Sequence, residues 1–165
     1  MVRHLLASAV MAAGLLAACS PGTSATASAQ TPAPATAGRH PVSGLEVIDL
    51  VVERGTKKLA FKVEVAASPE AQAKGLMFRT SLGDDEGMIF PSAVPEPKSF
   101  WMKNTPLSLD IIFIGPDGRI TNIAANTVPY SLDSVRSSGL ASAVLELRAG
   151  RSKELGIVPG DRVSF

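Results

Sequence analysis

The sequence predicts an α+β domain: six to eight short strands in a curled, barrel-like, mostly antiparallel sheet, with one or two short helices. Three observations lead there. Apolar and polar residues alternate over several short segments, Gly-, Pro- and Asp-containing turns separate those segments, and only two stretches carry helix-start and helix-stop residues.

Taken in order, LEVIDLVV (45–52) and KLAFKVEV (58–65) alternate in polarity on either side of ERGTK, which reads as a hairpin. A short helix comes next in SPEAQAKGLMFR, with Ser68 as N-cap, Pro69 at the first helical position and Glu70 at the positive end of the dipole. It stops near Gly75 or runs on to Arg79. GMIF (87–90) is strand-like, and PSAVPEPKS reads as irregular because of its three prolines. FWMK reads as a short strand with Trp101 and Lys103 on one face and Phe100 and Met102 on the other. LDIIFIG (109–115) is a central strand, which RITNIAAN (119–126) pairs across the PDG turn. ASAVLEL (141–147) is a further strand, AGRSKELG one or two helical turns closed by Gly156, and RVSF a last strand.

The domain is expected over 43–165, about 120 residues and enough for one core. Ahead of it, 1–18 reads as a lipoprotein signal peptide: a basic start, an apolar run too short to span a bilayer as a mature helix, then LAAC, a lipobox. Cleavage before Cys19 would leave that residue, the chain's single cysteine, to be acylated. The alternatives are an ordinary signal cut after Ala27-Ser28-Ala29, or an uncut anchor, and all three export the domain. In a Gram-negative host, Ser20 resembles the default for sorting to the outer membrane, facing the periplasm. From 19 to 42 the chain is Ser, Thr, Ala, Pro and Gly with almost no large apolar group, a disordered tether.

Composition excludes much chemistry. The two histidines, His4 and His40, fall in the signal and the tether, so the expected domain has neither histidine nor cysteine. No Ser-His-Asp triad, Cys-His pair or His/thiolate metal site fits within it, and no phosphate loop or dinucleotide fingerprint occurs. What remains is carboxylate chemistry, lysine chemistry or binding without chemistry; no catalytic residue is assigned, and no cofactor or metal is expected. Met77, Met88 and Met102 offer thioethers to Cu(I), but methionine also fills cores and no M-x-M run is present. A net charge of +1 with no basic stripe points away from nucleic acid.

Four segments, GLMFR (75–79), GMIF (87–90), FWMKNTPLSLDIIFI (100–114) and AVLELRAG (143–150), occur in an order and spacing that resemble the domain of unknown function 192 family, also called uncharacterised protein family 0127. The resemblance spans Leu45 to Phe165. It implies a compact, barrel-like α+β domain, found in small exported or membrane-anchored bacterial proteins, with no established reaction. The polar members of those segments are Arg79, Lys103, Asn104, Asp110 and Glu146, and with Trp101 they form the candidate ligand site. Each also has a plain structural reading: Arg79 in a salt bridge holding its helix to the sheet, Lys103 lying over the indole, Asn104 in turn chemistry, Asp110 in backbone bonds, and Glu146 leaving one face of a strand.

Three functions compete. One is a non-catalytic binding module in the cell envelope, for a small polar ligand, a glycan or a partner protein. A second is an enzyme acting on envelope glycans with Asp110 and Glu146 as acid and base, which needs the two carboxyls about 5–10 Å apart across a cleft. A third is a structural or chaperone-like protein with an exposed FWMKN patch. The anchor is tested apart from all three: Cys19→Ala should release the domain from membranes or leave the precursor uncut. A mature-sized Cys19→Ala band still in the membrane fraction would remove the lipidation assignment.

Overall fold

The structure, a computed structural model, describes residues 38–165; the expected signal peptide, Cys19 and the expected tether as far as residue 37 lie outside the described residues. Eight strands and two short helices alternate as β1 (Gly38–Arg39), β2 (Glu46–Arg54), β3 (Lys57–Val65), α1 (Pro69–Lys74), β4 (Glu86–Phe100), β5 (Leu109–Ile114), β6 (Ile120–Ala124), β7 (Val135–Arg148), α2 (Arg151–Leu155) and β8 (Arg162–Ser164). Among the described residues no helix is long and apolar enough to cross a membrane.

The strands form one sheet in the order β1-β2-β3-β4-β7-β5-β6, with β8 on the free side of β2. Every pairing is antiparallel except β3 with β4, whose crossover carries α1. The sheet curls until β8, paired with β2, also meets the start of β6: Val163 N donates to Gly118 O (2.8 Å) and Ile120 N to Asp161 O (2.9 Å). That seam is a single bridge, Arg119 to Arg162, so the barrel is curled rather than laced shut.

Curling gives the sheet two apolar faces. The inner one packs Leu50, Val52, Phe61, Val63, Ile89, Ile112, Leu145 and Leu147. The outer one packs Met88, Phe90, Ile111, Phe113 and Val144 beneath Leu76 and Met102. β5 is buried at all six positions because it is covered on both faces. Its continuous apolar run, broken only by Asp110, is the pattern that such burial requires.

Two expectations about the middle of the chain are corrected. PSAVPEPKS is not irregular but lies within β4. Pairing of β4 with β3 ends at Ile89, so beyond that residue one edge of β4 is free of the β3 ladder and needs no N–H donors for it. On the β7 side the register shifts between Pro91 and Glu96 and again between Pro97 and Ser99, so the ladder passes over the proline-rich stretch. FWMK is not a strand: β4 ends at Phe100, and Thr105 N donates to Met102 O in a turn (3.1 Å). The alternation survives, with Met102 buried and Trp101 and Lys103 outward.

The fold also begins earlier than residue 43. Gly38 and Arg39 pair with Val47 and Glu46, and His40 packs onto the domain instead of lying in the tether.

Asp110 ties the end of the sheet to α2 and to the loop after β6. It is fully buried, and its carboxylate accepts from Asn126 N (3.0 Å), Gly150 N (3.1 Å) and Ser152 N (2.9 Å). Three N–H groups, one from the loop after β6 and two from the start of α2, thus converge on one carboxylate, fixing the end of β6 and the start of α2 against β5. Asp110→Ala should leave those donors unsatisfied and lower stability by about 3–5 kcal/mol, read as a fall in the urea midpoint. A change within about 0.5 kcal/mol would mean that the bonds are not what holds this corner.

Candidate functional site

One register across four strands builds the site. Glu64 of β3 pairs with Met88 of β4, Met88 with Glu146 of β7, and Glu146 with Ile111 of β5. Directly paired residues share a sheet face, so two carboxylates stand on the outer face with one methionine between them. At about 4.8 Å per strand their backbones are about 10 Å apart.

Glu64 has partners. It is 3% exposed, with Oε1 2.6 Å from Arg79 Nη1 and Oε2 3.6 Å from His40 Nδ1. Arg79 Nη2 in turn lies 3.4 Å from His40 Nε2. The residues that cover this part of the sheet therefore bring a counter-charge with them. Arg79 anchors the segment after α1 to β3.

Glu146 is equally deep, at 5% exposure, and among the described residues it has no ion pair or side-chain hydrogen bond. Burial alone pushes its carboxyl up to about 8 from an ordinary 4.5, so it is mostly a neutral acid at pH 7. It sits in a cleft of about 310 Å³ between α1 and the end of β4. Phe90, Phe100 and Met102 form the apolar wall, the first two in edge-to-face contact at 5.1 Å. Gly75 and Met77 line the opposite side, where the chain leaves α1, and the half-exposed Trp101 stands at the mouth with Lys74 and Lys98.

The helix that roofs the cleft forms for local reasons. Ser68 Oγ accepts from Ala71 N (3.2 Å), Pro69 opens the first turn, and Gly75 ends the helix at a φ of 47°. At Gly75 a Cβ would meet the Phe90 ring at 3.4 Å, an ordinary contact, so the positive φ and not lack of space favours glycine here.

The candidate residues divide. Glu146 and Trp101 line the cleft. Lys103 places its Nζ 5.2 Å from the Trp101 ring centroid, a cation–π contact beside the mouth. Asn104 takes a φ of 54°, accepts from Phe78 N through its carbonyl (2.8 Å) and directs Nδ2 at Met77 Sδ (3.8 Å), the turn role its sequence allows. Arg79 belongs to the neighbouring Glu64 cluster, which borders a second cavity of about 400 Å³. Asp110 is not part of the site. It pairs with Leu147, one residue along from the Glu146–Ile111 pair, so its side chain leaves the opposite face. The acid–base pair of Asp110 and Glu146 is therefore not assembled, and Asp110 is saturated by backbone donors.

Met88 and Met102 are core residues, and Thr127 Oγ1 lies 3.2 Å from the Met102 sulfur. Among the described residues no three His, Cys, Asp or Glu side chains converge as a metal site would need.

Glu64, His40, Lys74 and Lys98 were not singled out by the sequence. In KLAFKVEV, Glu64 occupies the polar half of an alternating strand and reads as a solvated residue. It is buried only because the segments around His40 and Arg79 fold over it.

Comparisons with known proteins agree with this architecture. A solved structure from Novosphingobium aromaticivorans DSM 12444, a protein of unknown function, is 48% identical over 79% of this chain and 94% of that one, with a TM-score of 0.77. Another, from Sinorhizobium meliloti 1021 and described as a candidate transcription regulator, is 38% identical over 70% of this chain and 91% of that one, with a TM-score of 0.68. Among curated proteins no relative matches. The profile of DUF192, "uncharacterized ACR", covers residues 50–165, nearly the whole sheet and every residue of the Glu146 cleft, and the chain belongs to that family.

Proposed function

We propose that this protein is a non-catalytic binding module of the cell envelope, tethered by a lipid on Cys19. In this reading it takes a small ligand with a planar or apolar body and a hydrogen-bond acceptor or anionic group. The observation that carries the reading is Glu146, a buried carboxyl with no partner among the described residues, at the floor of an apolar cleft. Its carboxyl borders the cleft, so what enters there can bond it, whereas the unbonded Oε2 of Glu64 is fully enclosed. Apolar walls with one or two convergent polar groups are the usual make-up of a ligand site.

The ligand's polarity is set by the charges at the mouth. Protonated Glu146 donates a hydrogen bond, and Lys74 puts positive charge at the same opening. Both favour an acceptor or an anion over an amine. Trp101 offers a flat face for a ring to stack on. The S. meliloti neighbour's description raises nucleic acid as a second reading. Against it, the net charge is +1 and many of the cations are already matched: Arg148 with Asp84 and Glu154, Arg151 with Asp85, Lys62 with Asp49, and Lys98 with Glu96. A duplex-binding face requires several free cations together.

The placement in the envelope rests on LAAC after the apolar run and on the Ser/Thr/Ala/Pro-rich stretch beyond it.

Two outcomes test the site. The first is stability against pH. The Glu146 carboxyl is raised in the folded state, so its contribution is fully present below the unfolded value of 4.5 and is lost as pH rises to about 8. Over that window stability should fall by up to about 1.4 kcal/mol per pH unit, and Glu146→Gln should flatten the slope. Superimposable pH profiles of the two proteins would refute the buried, unpaired acid. The second outcome is binding, followed by Trp101 fluorescence with benzoate, benzamide and benzylamine as probes. Benzoate and benzamide should perturb the emission at pH 6, weaken about tenfold per unit above pH 8, and lose their effect in Glu146→Ala. A site that prefers benzylamine, with affinity rising with pH, would reverse the assigned polarity.

A further inference from the structure

Five of the ten exposed large apolar side chains among the described residues lie on one set of loops. Phe78, Trp101, Val128, Tyr130 and Leu132 are all about half or more exposed. They come from three loops tied together through the backbone: Phe78 N donates to Asn104 O (2.8 Å), Met102 N to Ser131 O (2.9 Å) and Tyr130 N to Thr105 O (3.2 Å). The four non-glycine residues with positive φ among the described residues, Phe78 (64°), Asn104 (54°), Asn126 (53°) and Tyr130 (60°), all lie in or at the edge of these loops. Two aromatic residues in that region are strained. The surrounding bonds hold them there, with their rings facing water.

We propose that this three-loop face docks on the surface of a lipid bilayer, with Trp101 and Tyr130 at headgroup level and Lys103 toward anionic headgroups. Tryptophan and tyrosine beside lysine is the composition that settles at a membrane–water interface, where ring bodies are buried and polar ends stay wet. Lys103, held over the indole, carries its charge to the point of contact.

The position of the tether selects the bilayer over other occupants. Residues 1–37, which contain the apolar run and LAAC, join the fold at Gly38. Directly after that point His40 lies against Arg79, and Val42 and Ser43 share a cavity with Phe78 and Arg79. The anchor thus attaches at the end of the domain that carries the apolar loops. A lipid on Cys19 would hold this face near the membrane at high local concentration, where even weak contacts are made often. This inference rests on the anchored placement proposed above and not on the Glu146 cleft.

Trp101 is the single tryptophan of the chain, so with no cleft ligand added its emission reports on this face. The mature lipidated protein is reconstituted with phosphatidylcholine vesicles, with and without phosphatidylglycerol, and with acyl chains brominated near the headgroup. Trp101 emission should shift to the blue and be quenched by the bromolipids, more so with phosphatidylglycerol. Leu132→Glu, at an exposed position, should cut the quenching about twofold or more while flotation with the vesicles, which depends on the anchor, is unchanged. A protein that floats while Trp101 stays unquenched and solvent-exposed overturns docking and leaves the anchor intact. Shielding of Trp101 that tracks protein concentration and not lipid assigns the face to a second copy and likewise overturns the proposal. Failure to float removes the anchored placement, and this inference with it.

Discussion

The site depends on one register. Glu64, Met88, Glu146 and Ile111 stand opposite one another across β3, β4, β7 and β5, which places two acids on the outer face of a sheet otherwise covered by apolar packing. A slip of one residue in β7 would turn Glu146 into the inner core and bring Leu145 and Leu147 to the cleft. Gly87 helps to hold the alignment. A Cβ there would come within 2.6 Å of the Glu146 carbonyl and 2.9 Å of the Leu147 side chain, so β4 and β7 meet at a spacing only glycine permits.

Different parts of the molecule carry stability and site chemistry. The inner face is a continuous apolar core, and its end is closed by Asp110 with three backbone donors. The outer face carries Glu64 and Glu146, and its covering pieces are short: α1, the turn after Phe100 and the residues around His40. These pieces touch the sheet through side chains more than through ladders. A destabilising group such as Glu146 is tolerated there because the inner core does not depend on it.

Elements that rest on local chemistry were legible in the sequence: the β2–β3 hairpin, the Ser68-capped helix, the buried β5 and the β5–β6 hairpin at PDG. The length of β4 was not, because a proline in a strand is tolerated or forbidden according to which edge has a neighbour, and only the tertiary pairing decides that. For the same reason Asp110 and Glu146 could not be separated in advance. Each sits among apolar residues of a strand, and the face each leaves by is decided by register. The alternation in FWMKN was legible even though the segment is a turn, since Met102 still packs inward and Trp101 outward. His40 was missed because the residues around it have a linker's composition, and its place in the fold comes from Glu64 and Arg79, both remote in sequence.

The contrast between the two acids says most about function. Arg79 arrives with the segment that covers Glu64, and the pair has the geometry of a structural bridge. Cations are also present near Glu146. Arg148 leaves the same face of β7 two residues on, but its guanidinium is drawn away by Asp84 at 2.5 Å and Glu154 at 2.5 Å. Lys98 is held by Glu96 at 2.7 Å. Arg148 and Lys98 are thus committed elsewhere, and among the described residues Glu146 has no ion pair or side-chain hydrogen bond. A leucine or methionine at this position would pack against Met88, Phe90 and Met102 without the desolvation penalty. A binding role accounts for the acid: whatever enters the cleft, solvent or ligand, can take its hydrogen bond, and the apolar wall that raises its pKa also makes that bond stronger than it would be in water.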